Sequence, residues 1–455
     1  MLTQLGFAER LGLSPSYLNQ IENNQRPLTA SVLLALAQTF SVNLNDFTFE
    51  ESDRLIGDLK EVLADPVFSG LTPNKQDLKT IAMNSPWLAH ALLDLHGAYR
   101  RAMERSHVLD EAFKLHRVDS NDTDLSLPYE EVRDFVHYRG NYFDDLDKAA
   151  EATVMLNGLW RNQSINILEN YIKERHHINV RFEELDSKDY LVRKYDPHLK
   201  QLTLRSGLGT ADADFQIAYQ IGQLEQAQAI DKIVRDARFR SRSAEEIARL
   251  ALGNYCAAAL MLPYGQILET TRKFRYDIER LARHFRCSLE QICHRLSTLQ
   301  RPGARGIPIY FVRVDRAGNI LKRHSATRFQ FARFGGACPL WNVHESFDSP
   351  GKFLTQIAEM PDGARYLCVA TSVVKSGGDF RTPLRHIGLG IGCEWSFAGD
   401  LVYADGLDPK SAPSSRIGIS CRICERNDCA QRAAPPVDRT LKVDRHVRNY
   451  VPYSF

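Results

Sequence analysis

The stretch TQLGFAERLGLSPSYLNQIENNQRPLTASVLLALAQTF, residues 3–40, decides the fold of the amino-terminal region. Gly12 permits a tight turn between two short helical segments. Ser14 can cap the second segment, with Pro15 at its first helical position. Apolar side chains recur on one face of the two segments, at Ala8, Leu11, Leu18 and Ile21. This pattern predicts a helix-turn-helix unit.

The outer face of the second segment carries uncharged polar side chains, which suit base edges and phosphates in a major groove. Gln4 and Arg26 flank this face and could contact phosphates. A helical hairpin with a merely polar face is the alternative interpretation. The predicted DNA-binding residues are Gln4, Ser16, Tyr17, Asn19, Gln20, Asn23 and Arg26.

The bulk composition sets limits on the whole chain. Its 455 residues exceed one ordinary core, and 44% apolar with 25% charged residues is typical of a globular protein. The net charge of +2 gives no global basic field, so any DNA contact must be local. No apolar run reaches the roughly 18 residues of a membrane helix, and the start lacks a secretory signal. We therefore expect a cytoplasmic protein with no membrane partner.

The residue pattern along the chain predicts a multidomain α+β protein. After an all-α unit at residues 1–50, residues 51–160 read as a helical linker or dimerisation region. Residues 161–302 mix helices with short strands such as KQLTLRS, and residues 303–455 are β-rich.

The segment DFQIAYQIGQLE, residues 214–225, predicts an amphipathic helix, and it resembles the metal-binding helix of zincin-like peptidases. Such a helix needs two imidazoles one turn apart and a glutamate between them as general base. Tyr219, Gln220 and Gln223 occupy those positions, and the acidic ligand expected near Leu252 is missing. The missing ligands argue against an active metallopeptidase, so we expect no enzymatic activity.

The segment SCRICERNDC near the carboxyl end has the spacing C-x2-C-x4-C at Cys421, Cys424 and Cys429. Three thiolates this close favour a metal centre, which needs a fourth ligand. Cys393 and Cys338 are the two candidates for that fourth position.

Several segments carry a resemblance to a known family. GLSPSYLNQIENNQRPLT resembles the XRE helix-turn-helix, and DFQIAYQIGQLE with GNYCAAALMLP resembles the ImmA/IrrE zincin-like domain. Together with FARFGGACPLWNVH and the cysteine tail, these segments resemble the short-chain fatty acyl transcriptional regulators. The resemblance implies a regulator of propionate- or acetate-type metabolism that senses an acyl-coenzyme A and carries an iron–sulfur cluster.

The resemblance directs the site predictions. Arg193, Lys194 and Arg205 could bind coenzyme A phosphates, and Tyr219 and Gln220 could contact the acyl or pantetheine part. We assign a metal site to Cys393, Cys421, Cys424 and Cys429. A [4Fe–4S] cluster is favoured, with zinc as the alternative.

Partners and rival functions complete the prediction. We expect operator DNA bound by a homodimer, because such sites are usually paired half-sites. The family's DNA-binding domains open with a further basic helix that is almost absent before Thr3, which indicates a truncated or mis-assigned start, or weak DNA binding. The rivals are an antitoxin-like or phage-immunity regulator that binds a protein partner, and the active metallopeptidase.

Overall fold

The computed structural model describes most of the chain as two compact units, residues 1–97 and 98–455. The described residues are 4–22, 32, 39, 50–63, 65–68, 74–99, 128–159, 166–184, 191–329, 331, 337–375, 383–408, 412–436 and 439–455. Helices and two mixed sheets make up a multidomain α+β fold, which confirms the predicted fold class. In these ranges no helix is both long and apolar enough to cross a membrane.

The first unit begins with the predicted helix-turn-helix pair, α1 (Gln4–Leu11) and α2 (Pro15–Glu22). Gly12 lies between them with φ of +65°, a left-handed conformation that glycine adopts without strain. The Ser14 hydroxyl accepts a hydrogen bond from the Tyr17 amide at 3.2 Å, so the predicted cap is present. Ala8, Leu11 and Leu18 are buried between the two helices.

A second helical group follows in the same unit. It comprises α3 (Glu50–Leu63), a 3-10 turn (Pro66–Phe68), α4 (Lys75–Asn84) and α5 (residues 86–99). Asn74 and Asp77 form a capping box that starts α4. Leu55, Leu59 and Leu93 are among the buried side chains that hold this group together.

In the residues that the structure describes, the second unit opens with nine helices and a small sheet. In chain order the helices are α6 (Pro128–Tyr138), α7 (Asp144–Asn157), α8 (Ile167–His176), α9 (Thr210–Glu225), α10 (Ala227–Ala237), α11 (Arg242–Met261), α12 (Tyr264–Lys273), α13 (Ile278–Phe285) and α14 (Leu289–Leu296). Strands β1 (Asn179–Glu183), β2 (Arg193–Asp196) and β3 (Gln201–Arg205) pair in the order β1-β3-β2. Strand β1 runs parallel to β3, and β2 runs antiparallel to it.

The carboxyl-terminal part is built on a six-stranded sheet, as the β-rich pattern predicts. Its strands are β4 (Tyr310–Val314), β5 (Ile320–Ser325), β6 (Leu354–Glu359), β7 (Arg365–Lys375), β8 (Arg385–Glu394) and β9 (Ser415–Arg416), in the order β5-β4-β8-β7-β6-β9. The short helix α15 (Asn342–Glu345) and 3-10 turns at Ser346–Asp348, Trp395–Asp400, Val402–Ala404 and Cys421–Ile423 complete it. Phe311, Leu367 and Ile391 share one core with Leu296 of α14, so the sheet packs on the helical part.

The predicted linker at residues 51–160 does not behave as one element. Its first helices belong to the first unit, whereas α6 and α7 lie in the second. Gly140 and Asn141, with φ of +62° and +59°, separate α6 from α7, because left-handed residues end a helix. Leu146 packs with the buried face of α11, and Val154 belongs to the central core. Helices α6 and α7 are therefore part of the body that carries α9.

Candidate DNA-binding, ligand and metal sites

The predicted reading face of α2 is presented on the surface. Gln4, Ser16 and Asn19 are exposed and Tyr17 is half-buried. The Gln4 side-chain amide donates to Oδ1 of the Asn19 side chain at 3.4 Å, which links the first helix to the reading face. The side chain of Gln20, and the whole of Asn23 and Arg26, lie outside the described residues.

Three of the five predicted ligand-binding residues meet on α9. Tyr219 and Gln220 are only 6% and 5% exposed. From β2, Arg193 donates from Nη1 to Gln220 Oε1 at 2.7 Å. Its guanidinium carbon lies 4.3 Å from the centre of the Tyr219 ring, a cation–π contact. A guanidinium therefore contacts the helix positions at which an active zincin would carry one metal-binding imidazole and the general base.

The charge state of this site follows from burial. Desolvation lowers the pKa of Arg193 and raises the pKa of the Tyr219 phenol. An arginine keeps its charge in proteins, so the site holds one cation beside a neutral phenol and a neutral amide. The side chains at these helix positions include no group that can take a proton from water. The arrangement can bind a polar or anionic group.

A glycine sets the spacing behind this site. A Cβ added to Gly253 of α11 would lie 2.4 Å from Gln223 Nε2 and 2.7 Å from Tyr219 Cε2. Only a residue without a side chain lets α11 approach α9 this closely. The Gln223 Nε2 group is buried there without a hydrogen-bond partner among the described residues. Gly253 was not among the predicted site residues, although it begins the segment GNYCAAALMLP that resembles a zincin-like helix.

The other two predicted ligand residues are placed differently. Successive strand residues point to opposite faces, and Lys194 is exposed while Arg193 turns toward Gln220. Arg205 is half-buried at the end of β3, beside Leu204, which is the cross-strand partner of Arg193. The structure thus brings Arg193, and not Lys194, into contact with α9.

The cysteine tail encloses a cavity with four thiols. Cys338, Cys421, Cys424 and Cys429 line it together with three arginines, Arg416, Arg426 and Arg432. Burial raises the pKa of the Cys338 thiol. Gly418 faces Cys424, and a Cβ at Gly418 would lie 2.8 Å from its sulfur. The glycine therefore leaves room beside a thiol that a side chain would fill.

Arginines shape the loop that carries these cysteines. Arg432 donates to the carbonyl oxygens of Cys421 at 2.8 Å and Cys424 at 3.0 Å, and its guanidinium lies 4.7 Å from the centre of the Phe455 ring. Arg426 donates to the carbonyl oxygens of Ile417 at 3.1 Å and Glu359 at 2.6 Å, which ties the loop to β6. These bonds fix the turn between the first two cysteines.

The fourth predicted metal ligand, Cys393, lies apart from the other three cysteines in the structure. Cys393 is fully buried on β8 opposite Leu367, within the central core, and does not line the cavity. Burial raises its pKa well above the ordinary thiol value. Cys338, the other candidate, lies with the cysteine tail because residues 337–341 cover the outer face of the sheet. The four thiols suit iron or zinc as donors. In the described ranges, however, no group of three or more His, Cys, Asp or Glu side chains is arranged as around a bound ion.

A buried ion pair lies at the centre of the helical body and was not predicted. Arg295 of α14 donates from Nη1 and Nη2 to Asp147 of α7 at 2.8 and 2.9 Å, and both side chains are fully buried. The Tyr255 hydroxyl donates to the same carboxylate at 2.6 Å. Helical periodicity could have found it, because Asp147 shares the buried face of α7 with Ala150 and Val154.

Comparisons with known proteins agree with this architecture. Residues 1–47 match the helix-turn-helix model, residues 173–297 the IrrE N-terminal-like domain, and residues 298–453 the short-chain fatty acyl coenzyme A regulator C-terminal model. A solved structure titled "Mycobacterium tuberculosis transcriptional regulator" is similar with a TM-score of 0.69 and 41% identity, covering 72% of this chain and 100% of that chain.

Relatives extend the likeness over the whole chain. The propionyl-CoA carboxylase regulator of Cereibacter sphaeroides is 48% identical over 100% of this chain and 95% of its own length. The HTH-type transcriptional regulators RamB and PrpR of Mycobacterium tuberculosis are 40% and 38% identical, over 99% and 100% of this chain and 95% and 93% of their own lengths. The protein is a DNA-binding transcriptional regulator of the helix-turn-helix class. Within that class, the chain belongs to the short-chain fatty acyl coenzyme A regulator family.

Proposed function

We propose that this regulator controls genes of short-chain fatty acid metabolism and responds to an acyl-coenzyme A, without enzymatic activity of its own. The observation that carries the proposal is the contact of Arg193 with Tyr219 and Gln220 at the silenced zincin positions. The half-buried Arg193 guanidinium favours an anionic or carbonyl oxygen as partner. The family model that matches residues 298–453 is described as a short-chain fatty acyl coenzyme A regulator, which supports the same ligand class.

The ligand site divides into groups with different tasks. Arg193 would donate to the thioester or to a phosphate oxygen, and Tyr219 would supply apolar contact to the acyl chain. Gln220, already held by Arg193 at 2.7 Å, would orient the guanidinium. Because none of these groups can activate water, the site would bind a thioester without hydrolysing it.

Thermal unfolding with propionyl-coenzyme A tests the ligand. A ligand that binds only the folded state at about 100 times its dissociation constant stabilises it by about 2.7 kcal/mol. We expect that stabilisation in the wild type and in Arg181→Gln, whose side chain is exposed on β1, and its loss in Arg193→Gln. Equal stabilisation of all three proteins would place the ligand elsewhere.

The DNA-reading assignment has a separate test. We propose that paired α2 helices of a homodimer read two half-sites, with Asn19 and Gln20 among the reading side chains. Asn19→Ala and Gln20→Ala should each weaken binding to the operator by about 1–3 kcal/mol. Gln76→Ala, an exposed change on α4, should not. A gel-shift titration measures operator binding, and circular dichroism measures whether each variant is folded. Unchanged binding in Asn19→Ala and Gln20→Ala would exclude α2 as the reading helix.

We propose a metal centre held by Cys338, Cys421, Cys424 and Cys429. A [4Fe–4S] cluster there would supply one-electron redox chemistry, whereas zinc would supply structure alone. The three arginines around the cavity would offset the negative charge of the thiolates.

Replacement of the two rival cysteines distinguishes the assignments. Anaerobically purified protein should show a broad visible absorption band, which Cys338→Ala abolishes and Cys393→Ala preserves. Colourless protein with stoichiometric zinc would change the metal but keep the ligand set. Retention of metal in Cys338→Ala would overturn the set itself.

A further inference from the structure

A second group of polar side chains lies between the edge strand β5, α14 and the turn after α6. Lys322 and His324 share one face of β5, because strand residues two apart point the same way. The His324 ring centre lies 4.6 Å from that of His294 on α14. Asn141 completes the group, with its Oδ1 atom 3.4 Å from His324 Nδ1. None of these residues takes part in the proposed ligand or metal sites.

The group carries a positive charge that no acid neutralises. Among the described residues, no carboxylate lies within ion-pair distance of Lys322. The acid that acts on it, Glu290, is already 2.9 Å from Arg313 and 3.6 Å from Lys375. Burial lowers the pKa of Lys322 to about 8, and it holds the pKa values of His294 and His324 well below the ordinary range. A half-buried cation without an ion-pair partner loses part of its hydration, and a bound anion would offset that cost.

Asn141 adds an unused donor to this group. The residue is only 1% exposed, and its Nδ2 atom has no hydrogen-bond partner in the described part of the chain. A buried donor without a partner costs about 1–3 kcal/mol, so its position is not explained by folding stability. Its φ of +59° is a left-handed conformation that asparagine tolerates. The amide is held by the turn between α6 and α7, and a ligand would supply its missing acceptor.

We propose that Lys322, His294, His324 and Asn141 form a binding site for a phosphate group. The ammonium, the amide and the two imidazole rings can all donate, and a phosphate offers several acceptor oxygens to satisfy them together. A metal cation is disfavoured, because the lysine charge would repel it. The phosphate could be free inorganic phosphate or the terminal phosphate of a larger molecule, and the chemistry recognised is the same.

Inorganic phosphate is the first probe. In a chloride buffer at pH 7, phosphate should raise the unfolding midpoint of the full chain saturably, and calorimetry should give one site per chain. Lys322→Met keeps the apolar stem and removes the charge, and it should weaken phosphate binding by at least about tenfold. Lys352→Met, an exposed change in the same unit, should leave binding unchanged. Absence of a saturable effect, or an equal effect in Lys322→Met, would overturn the site.

A second variant guards against a folding defect in the first. Asn141→Asp places a carboxylate inside the cluster and so supplies the missing anion from the protein. We expect the phosphate-free variant to be more stable than the wild type and to have lost its response to phosphate. A variant that binds phosphate as tightly as the wild type would contradict the proposal.

Coenzyme A and 3′-dephospho-coenzyme A then identify the source of the phosphate. If the nucleotide supplies the phosphate, Lys322→Met and removal of the 3′-phosphate should each weaken coenzyme A binding by the same factor, with no further loss when the two changes are combined. If coenzyme A binding is insensitive to Lys322→Met while inorganic phosphate binding is lost, the site serves free phosphate. Because Arg193 lies outside this cluster, failure of the acyl-coenzyme A test with Arg193→Gln would leave the inorganic phosphate results unaffected.

Discussion

At the scale of single residues, the buried pair of Asp147 and Arg295 shows what two side chains contribute to the stability of the fold. Breaking such a pair leaves an uncompensated charge inside the protein, which typically costs about 3–5 kcal/mol. We therefore expect Arg295→Met to lower the free energy of unfolding by that amount, measured by urea titration. The carboxylate would keep only Tyr255 as a strong partner, together with the more distant Arg301 at 3.6 Å.

A neighbouring acid provides the control for this prediction. Asp145 lies two residues before Asp147 on α7, and its side chain is exposed. Asp145→Asn should change the free energy of unfolding by no more than about 0.5 kcal/mol. Comparable losses in the two variants would mean that the general acidity of α7, and not the pair, matters for stability.

The sequence shows the identity of each site residue but not its partners in space. The absence of imidazoles from DFQIAYQIGQLE was visible directly, because a ligand's identity is a local property. The pairing of Arg193 with Gln220 and Tyr219 depends on β2 lying beside α9, which no local pattern encodes. Which of Cys393 and Cys338 lies beside the cysteine tail depends on the fold in the same way. Both follow plausible turns in sequence, and only the sheet topology separates them.

At the scale of elements, the contact between α9 and α11 depends on Gly253. We expect Gly253→Ala to destabilise the protein by about 1–3 kcal/mol, because the added carbon would overlap Gln223 and the Tyr219 ring. The same displacement should weaken propionyl-coenzyme A binding, if the ligand lies where we propose. Thermal unfolding with and without ligand measures both effects.

Gly399→Ala is the matched change for that experiment. A Cβ at Gly399 meets no atom within 4 Å, and the residue lies in the turn after β8, outside α9 and α11. It should leave both stability and ligand binding close to those of the wild type. If Gly253→Ala behaved in the same way, the close approach of the helices would not position Tyr219.

Elements defined by periodicity were predicted well, and elements defined by packing were not. The strands KQLTLRS and ARYLCVATSVV have β-branched, apolar runs, and both form strands. Helix α7 was assigned to the linker or dimerisation region. An amphipathic pattern shows that a helix buries one face, but it does not show which element packs against that face. The partner, α11, lies about a hundred residues further along the chain.

At the scale of the whole molecule, the pH dependence of stability reports on the interface between α14 and the carboxyl-terminal sheet. Burial lowers the pKa values of His294 and His324 well below 6.5, so the folded protein keeps both rings neutral in weak acid. The unfolded chain takes up protons on both rings as the pH falls through about 6.5. The unfolded state then binds more protons, and stability must fall with pH, by up to about 1.4 kcal/mol per unit for each ring.

We therefore expect the free energy of unfolding in phosphate-free buffer to decrease between pH 7 and pH 5.5, before most carboxylates titrate. The double variant His294→Asn/His324→Asn should show a clearly smaller decrease over the same interval, although it starts from a lower stability. His198→Asn, which replaces an exposed histidine, should keep the slope of the wild type. Urea titrations at pH 7.0, 6.3 and 5.5 give the three slopes. A double variant as steep as the wild type would show that the acid sensitivity arises outside this interface, because a ring that is absent cannot take up a proton.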